Sequence, residues 1–214
     1  MGDIFREVDE DLRHDRYLRL WKDYGNYVLV GLVVLVAATA VVVFWREYDA
    51  RIRAGEATTY LAATDLARAG VGAEAAKAFE SLARDASSGY ATLARLQEAG
   101  LKARAGDVAA ASILYRMIAA DSGVDPALRD VALLQSVLVV IETEEPTSLA
   151  TRLNALTVET NPWRHAAFEL LAVLAHRTGD TGKATEVFLR LADDPATPPG
   201  IRARAAEMLA GLGG

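Results

Sequence analysis

From Tyr27 to Trp45 the chain runs for 19 residues without a charge, and that stretch limits its fold more than any other feature. At about 1.5 Å rise per residue, a helix of this length nearly matches a hydrocarbon core of about 30 Å. Tyr24 and Tyr27 stand at one end, and Phe44, Trp45 and Tyr48 at the other. Amphipathic rings settle at both headgroup levels of a bilayer in this way. A buried core helix of the same length would usually admit a polar residue. Ala38-Thr39-Ala40 has the small-x-small form of a signal-peptide cleavage site, but it lies inside the apolar run, with Val41 to Trp45 still to follow. The sequence therefore predicts an uncleaved signal anchor, with a tail over 1–26, a transmembrane helix over 27–45 and a separate domain over 46–214.

Orientation is less sharply written. Arg13, Arg16, Arg19 and Lys22 flank one side of the span, and Arg46, Arg51 and Arg53 flank the other, so the positive-inside rule is nearly balanced. Translocating a long C-terminal domain behind a signal anchor is ordinary, which favours a cytoplasmic N-terminus. Within the tail, Ile4, Phe5, Val8 and Leu12, then Leu20, Trp21 and Tyr24, recur near helical period and predict a short amphipathic helix.

Beyond the span the residues repeat. The segments around Phe79, Tyr115, Leu153 and Phe188 lie 36, 38 and 35 residues apart. Sixteen residues before these anchors stand Ala63, Ala99, Val137 and Ala172; nine before stand Gly70, Gly106, Glu144 and Gly179. Four before are Ala75, Ala111, Leu149 and Ala184, and three after are Leu82, Ile118, Leu156 and Leu191. Each column has a physical role in a helix pair. The first helix carries a small residue where the second crosses closely, Gly supplies the left-handed turn between them, and the second helix buries the anchor and the apolar residue one turn later. Helix pairs are expected near 46–86, 88–121, 126–160 and 162–194, with a closing helix after Pro198-Pro199, where proline at a helix start is tolerated. Glu144 interrupts the Gly column in the third unit.

Small residue, turn Gly, small residue and aromatic at these offsets resemble the tetratricopeptide repeat. That resemblance implies an all-α fold: one N-terminal transmembrane helix followed by an α-solenoid of about four degenerate helix pairs. A second resemblance is carried by the order of several segments along the chain. Trp21-Lys22-Asp23-Tyr24-Gly25-Asn26-Tyr27 leads into the span, Trp45-Arg46-Glu47-Tyr48 follows it, and the repeats end in Pro199-Gly200-Ile201-Arg202-Ala203-Arg204-Ala205. Taken together these resemble the family of ancillary subunits of the bacterial SecYEG translocon. The resemblance implies an inner-membrane protein whose periplasmic repeat domain works beside the secretion channel with periplasmic chaperones or client polypeptides.

The residues offer little chemistry. With no Cys there is no disulfide framework and no thiolate ligand. Formal charge is -6, and the 18 basic residues beyond Trp45 are interspersed with 22 acidic ones, a pattern unlike a phosphate-binding surface, so no nucleic acid is expected. Gly179-Asp180-Thr181-Gly182-Lys183-Ala184-Thr185 lacks the hydroxyl after Lys183 and the earlier Gly of a phosphate loop, and reads as a repeat turn. His165 and His176 share a helical face but stand three turns, or roughly 16 Å, apart, too far for one metal. No catalytic residue, cofactor, metal or small-molecule substrate is expected.

What remains is a surface for proteins. In this repeat class the first helix of each pair lines the concave side, which by offset assigns Tyr60, Leu96, Leu134, Leu138 and Val173 to a partner-binding groove. Leu96 and Leu134 are expected at equivalent positions on one open face. Arg68, Arg104 and Arg177 recur at its edge, eleven residues before the anchors, although Arg in a last helical turn also suits the helix dipole without any ligand. The expected function is a membrane-tethered scaffold or chaperone-like adaptor of the Sec machinery. Two alternatives are an assembly factor for another envelope complex, such as a pilus or division apparatus, and a membrane enzyme whose site needs a partner chain.

Overall fold

No proline occurs before Pro126, and helix formers dominate the first third of the chain. Nothing there forces a break, and in the computed structural model a single helix, α1, runs over Asp3–Arg68. The structure describes residues 3–87 and 89–213, with side chains from Lys22 onward except those of Asp23 and Val28. The amphipathic side chains expected in the tail, Ile4 to Trp21, lie outside the described residues. The apolar stretch within α1 is long enough and apolar enough to cross a membrane. Its large side chains, from Leu29 through Trp45, are exposed, with no protein packed over them.

The chain divides into two compact units, Met1–Ala54 and Gly55–Gly214. The second is built entirely from helices among the described residues. After the end of α1 come α2 (Gly72–Asp85), α3 (Gly89–Arg104), α4 (Val108–Ala120), α5 (Pro126–Leu138), α6 (Pro146–Leu153), α7 (Arg164–Arg177), α8 (Thr181–Asp193) and α9 (Pro199–Gly211). From α2 onward each helix packs on the next, and α7 also touches α5 and α9, as in a stacked array of antiparallel pairs. The expected pairs appear in the expected places. Pro126, Pro146 and Pro199 begin helices, where a missing N–H costs nothing.

The sixteen positions aligned as small residue, second small residue, anchor and following apolar residue are all buried, none more than 5% exposed. They are distributed over four clusters along the array. Each cluster combines one helix pair with the first helix of the next: Phe79 lies with Ala94 and Leu101 of α3, and Tyr115 with Ala132 of α5. In the third cluster Leu153 lies with Ala167 and Leu174 of α7, and in the fourth Phe188 lies with Ala205 of α9. The closing helix thus covers the last pair as a further first helix would.

Three of the four turns within pairs are alike. Gly70, Gly106 and Gly179 have φ of 82°, 86° and 81°, and each precedes a backbone bond that reaches back five residues: Val71 N–H to Leu66, Asp107 to Lys102, Asp180 to Ala175. This is the Schellman closure, which needs a left-handed residue that Gly adopts without a Cβ penalty. The third unit has Glu144 there, and no described non-glycine residue takes a positive φ. Instead the chain leaves α5 through successive tight turns, Val140 N–H to Val137 and Thr143 N–H to Val140, across residues 139–145. The longer path inserts Val140 and Ile141 into the core and shortens the second helix of the pair, which ends in a 3₁₀ turn at Asn154–Leu156.

Candidate partner-binding groove

The first helices of the third and fourth pairs, α5 and α7, lie beside α9 and enclose a cavity of about 440 Å³ open to solvent. Its walls are mainly apolar: Leu134, Leu138 and Ile141 from the α5 side, Trp163, Leu170 and Val173 from the α7 side. Leu138 is 47% exposed and Trp163 is also open, so a large apolar surface faces water at the mouth. The charges in the wall neutralise each other. Arg204 of α9 donates from Nε and one Nη to the two oxygens of Glu169 on α7, at 2.6 and 2.8 Å. This fork geometry fixes both groups and holds the Arg204 guanidinium above its already high pKa.

Of the eight residues assigned to a groove from sequence, the structure brings Leu134, Leu138 and Val173 together in this one. Leu134 is only 7% exposed and belongs to the core cluster around Leu153, so it forms the floor of the groove rather than an open face. Tyr60 packs its ring against Phe79 at 5.4 Å and Tyr90 at 5.7 Å, and its hydroxyl accepts from Gln97 Nε2 at 3.2 Å. Leu96 is half-buried against the cluster around Tyr115. The equivalence expected for Leu96 and Leu134 therefore holds along the sequence but not on one surface. Each first helix also packs between repeats, and the turn after α5 is longer than those that follow the first helices of the other pairs.

The three arginines have different surroundings. Arg68 makes an exposed pair with Asp65 at 3.5 Å. Arg104 lies over Gly100 beside the Tyr115 hydroxyl; burial pushes that phenol above its ordinary pKa, and the guanidinium opposes the shift. Arg177 donates to the Ile141 carbonyl and, at 2.7 Å, to the Glu144 carbonyl. It thereby satisfies the turn that lacks a glycine. Arg177→Ala should cost about 1 kcal/mol, the usual worth of a charged hydrogen bond reduced by exposure, whereas Arg68→Ala should stay within about 0.5 kcal/mol. Urea titrations of the two variants check this, and equal effects would remove the capping role.

The repeat register did not assign Glu169, Trp163, Ile141, Leu170 or Arg204 to the groove. Glu169 had a readable signal: it stands nineteen residues before Phe188, the offset of Tyr60, Leu96 and Leu134 from their own anchors. Two acidic pairs near helix ends, Glu144-Glu145 and Asp193-Asp194, are partly engaged. Glu144 pairs with Arg152, and Glu145 caps α6 by accepting from the Thr147 hydroxyl and from Ser148 N at 2.9 Å; the hydroxyl bond first and the backbone bond second hold its carboxyl below the usual range. Asp194 accepts from Ala196 N at 2.8 Å and faces buried His165 at 3.4 Å; the backbone bond and then the imidazole lower its pKa. No group of metal-ligating side chains occurs among the described residues.

Paired helices, left-handed turn glycines and anchors buried between successive pairs define a helical-repeat protein of the interaction type. The family described as the tetratricopeptide repeat-like domain matches residues 19–190, and this chain belongs to it. The matched region takes in the apolar stretch of α1 and the helix pairs as far as Arg190 in α8. No curated protein matches the chain. Domains of this kind serve typically as non-enzymatic modules for protein–protein interaction.

Proposed function

We propose that this protein is a membrane-tethered scaffold of the Sec translocation machinery, presenting its groove to partner or client polypeptides on the periplasmic side. Residues 1–26 lie in the cytoplasm, 27–45 cross the inner membrane and 46–214 form the periplasmic domain. The observation that carries the interaction role is the groove: an apolar cavity with Leu138 and Trp163 open to water and its only wall charges mutually paired. The span is supported by a long helix whose apolar side chains no protein covers. Placement beside the channel rests on the order of the Trp21–Tyr27 segment, the span, Trp45–Tyr48 and the closing Pro199–Ala205 segment. Tethering makes a weak groove useful, because anchor and partner share one membrane and the second contact becomes effectively intramolecular.

Photo-crosslinking residues placed at Leu138 and at Val34 of the full chain in its native membrane test the reading. Leu138 should capture translocating polypeptides or periplasmic chaperones, and Val34 should capture a channel subunit. Capture of pilus or division components alone at both positions would replace the Sec assignment with an envelope assembly role.

A further inference from the structure

A second cavity, also of about 440 Å³, lies between α4 and α5 and shares no lining residue with the groove. Arg116, Ala119 and Ala120 line it from α4, and Arg129, Asp130 and Leu133 from α5. Residues three and four apart share a helix face, so both arginines look onto the cavity beside an apolar wall. Neither guanidinium has an ion pair or hydrogen bond among the described residues, and the Nε of Arg129 is buried without an acceptor. Several arginines of the array are engaged by carboxylates, Arg95 by Asp121, Arg152 by Glu144, Arg190 by Glu186 and Arg204 by Glu169, and Arg177 and Arg202 by backbone carbonyls. The one carboxylate in the lining, Asp130, accepts instead from Asn161 Nδ2 at 2.8 Å.

We propose that this cleft binds a single carboxylate carried on a short apolar stem. Two guanidiniums that no carboxylate engages line one cleft, and Arg keeps its charge, so the cleft favours an anionic acceptor over a change of protonation. The planar fork of Arg matches the two oxygens of a carboxylate. Two arginines and one aspartate give the cleft a net charge of +1, which a monoanion balances. A phosphate dianion exceeds it and is repelled by Asp130. Ala119, Ala120 and Leu133 supply the wall for methylene groups. A free short-chain carboxylic acid and a glutamate side chain on a partner protein share this chemistry.

Saturation-transfer NMR on the full chain in a phosphate-free maltoside detergent tests the site, with butyrate, N-acetylglutamate α-amide and inorganic phosphate as probes. Both carboxylates should bind saturably, Arg129→Gln and Arg116→Gln should each weaken them at least tenfold, and a tenfold excess of phosphate should not displace them. Tighter binding of the glutamate amide assigns the site to a partner's side chain, and tighter binding of butyrate assigns it to a free acid; either result supports the proposal. Absence of saturable binding, as when water alone fills the cleft, overturns it. So does unchanged affinity in the variants, or displacement by phosphate at equal concentration. Arg116 is exposed, so its variant reads the site even if Arg129→Gln fails to fold.

Discussion

Leu134→Glu should unfold the middle of the repeat array, while Leu138→Glu, one turn further along the same helix, should leave it folded. Both residues line the groove, and the difference lies in what covers them. Leu134 is 7% exposed and packs with Val137, Leu149, Leu153 and Leu174, whereas Leu138 is 47% exposed at the mouth. A carboxylate at 134 loses the leucine's packing and is desolvated with no partner of opposite charge in its cluster. Together these should cost at least about 4 kcal/mol. At 138 the carboxylate stays in water, and the change should remain within about 0.5 kcal/mol. Urea unfolding followed by circular dichroism separates the two. If Leu138→Glu destabilises as much as Leu134→Glu, the groove is a closed interface between helices, and the interaction reading loses its surface.

Phe188→Ala should cost about 3–5 kcal/mol, the usual range for deleting a buried aromatic ring. Phe188 is fully buried among Leu191 and the alanines Ala172, Ala175, Ala184 and Ala205, whose small side chains cannot close over the cavity without moving α7, α8 and α9 together. Repeat arrays are coupled mainly between neighbours, so the damage should stay near the C-terminal end. Hydrogen exchange should accelerate in α8 and α9 while α2 to α4 keep their protection. Loss of less than about 0.5 kcal/mol, typical of a surface site, would mean that the helix register is wrong.

Local rules made most of this legible beforehand. Periodicity assigned the helix pairs, the Gly columns at 70, 106 and 179 marked three turns that do adopt positive φ, and all sixteen aligned core positions are buried. These signals are readable because each depends on a residue's own backbone freedom or on its spacing from a neighbour in the same pair. The groove was only partly legible. Leu134, Leu138 and Val173 were found by register, but Arg204 and Trp163 reach it from α9 and from the loop before α7, whose approach no offset within one repeat encodes.

The sequence by itself determined an all-α repeat array with a leading apolar helix, because hydrophobic spacing, turn glycines and helix-starting prolines act over a few residues. Tertiary structure alone decided how those helices share their faces. Tyr60 and Leu96 occupy the same repeat column as Leu134, yet only Leu134 borders the groove, because α9 and the long turn after α5 flank that one stretch. Arg177 belongs to the same column as Arg68, yet it caps the turn where Glu144 stands in place of glycine. A column fixes the face of its own helix that a side chain occupies; which atoms meet that face depends on the helix that packs against it.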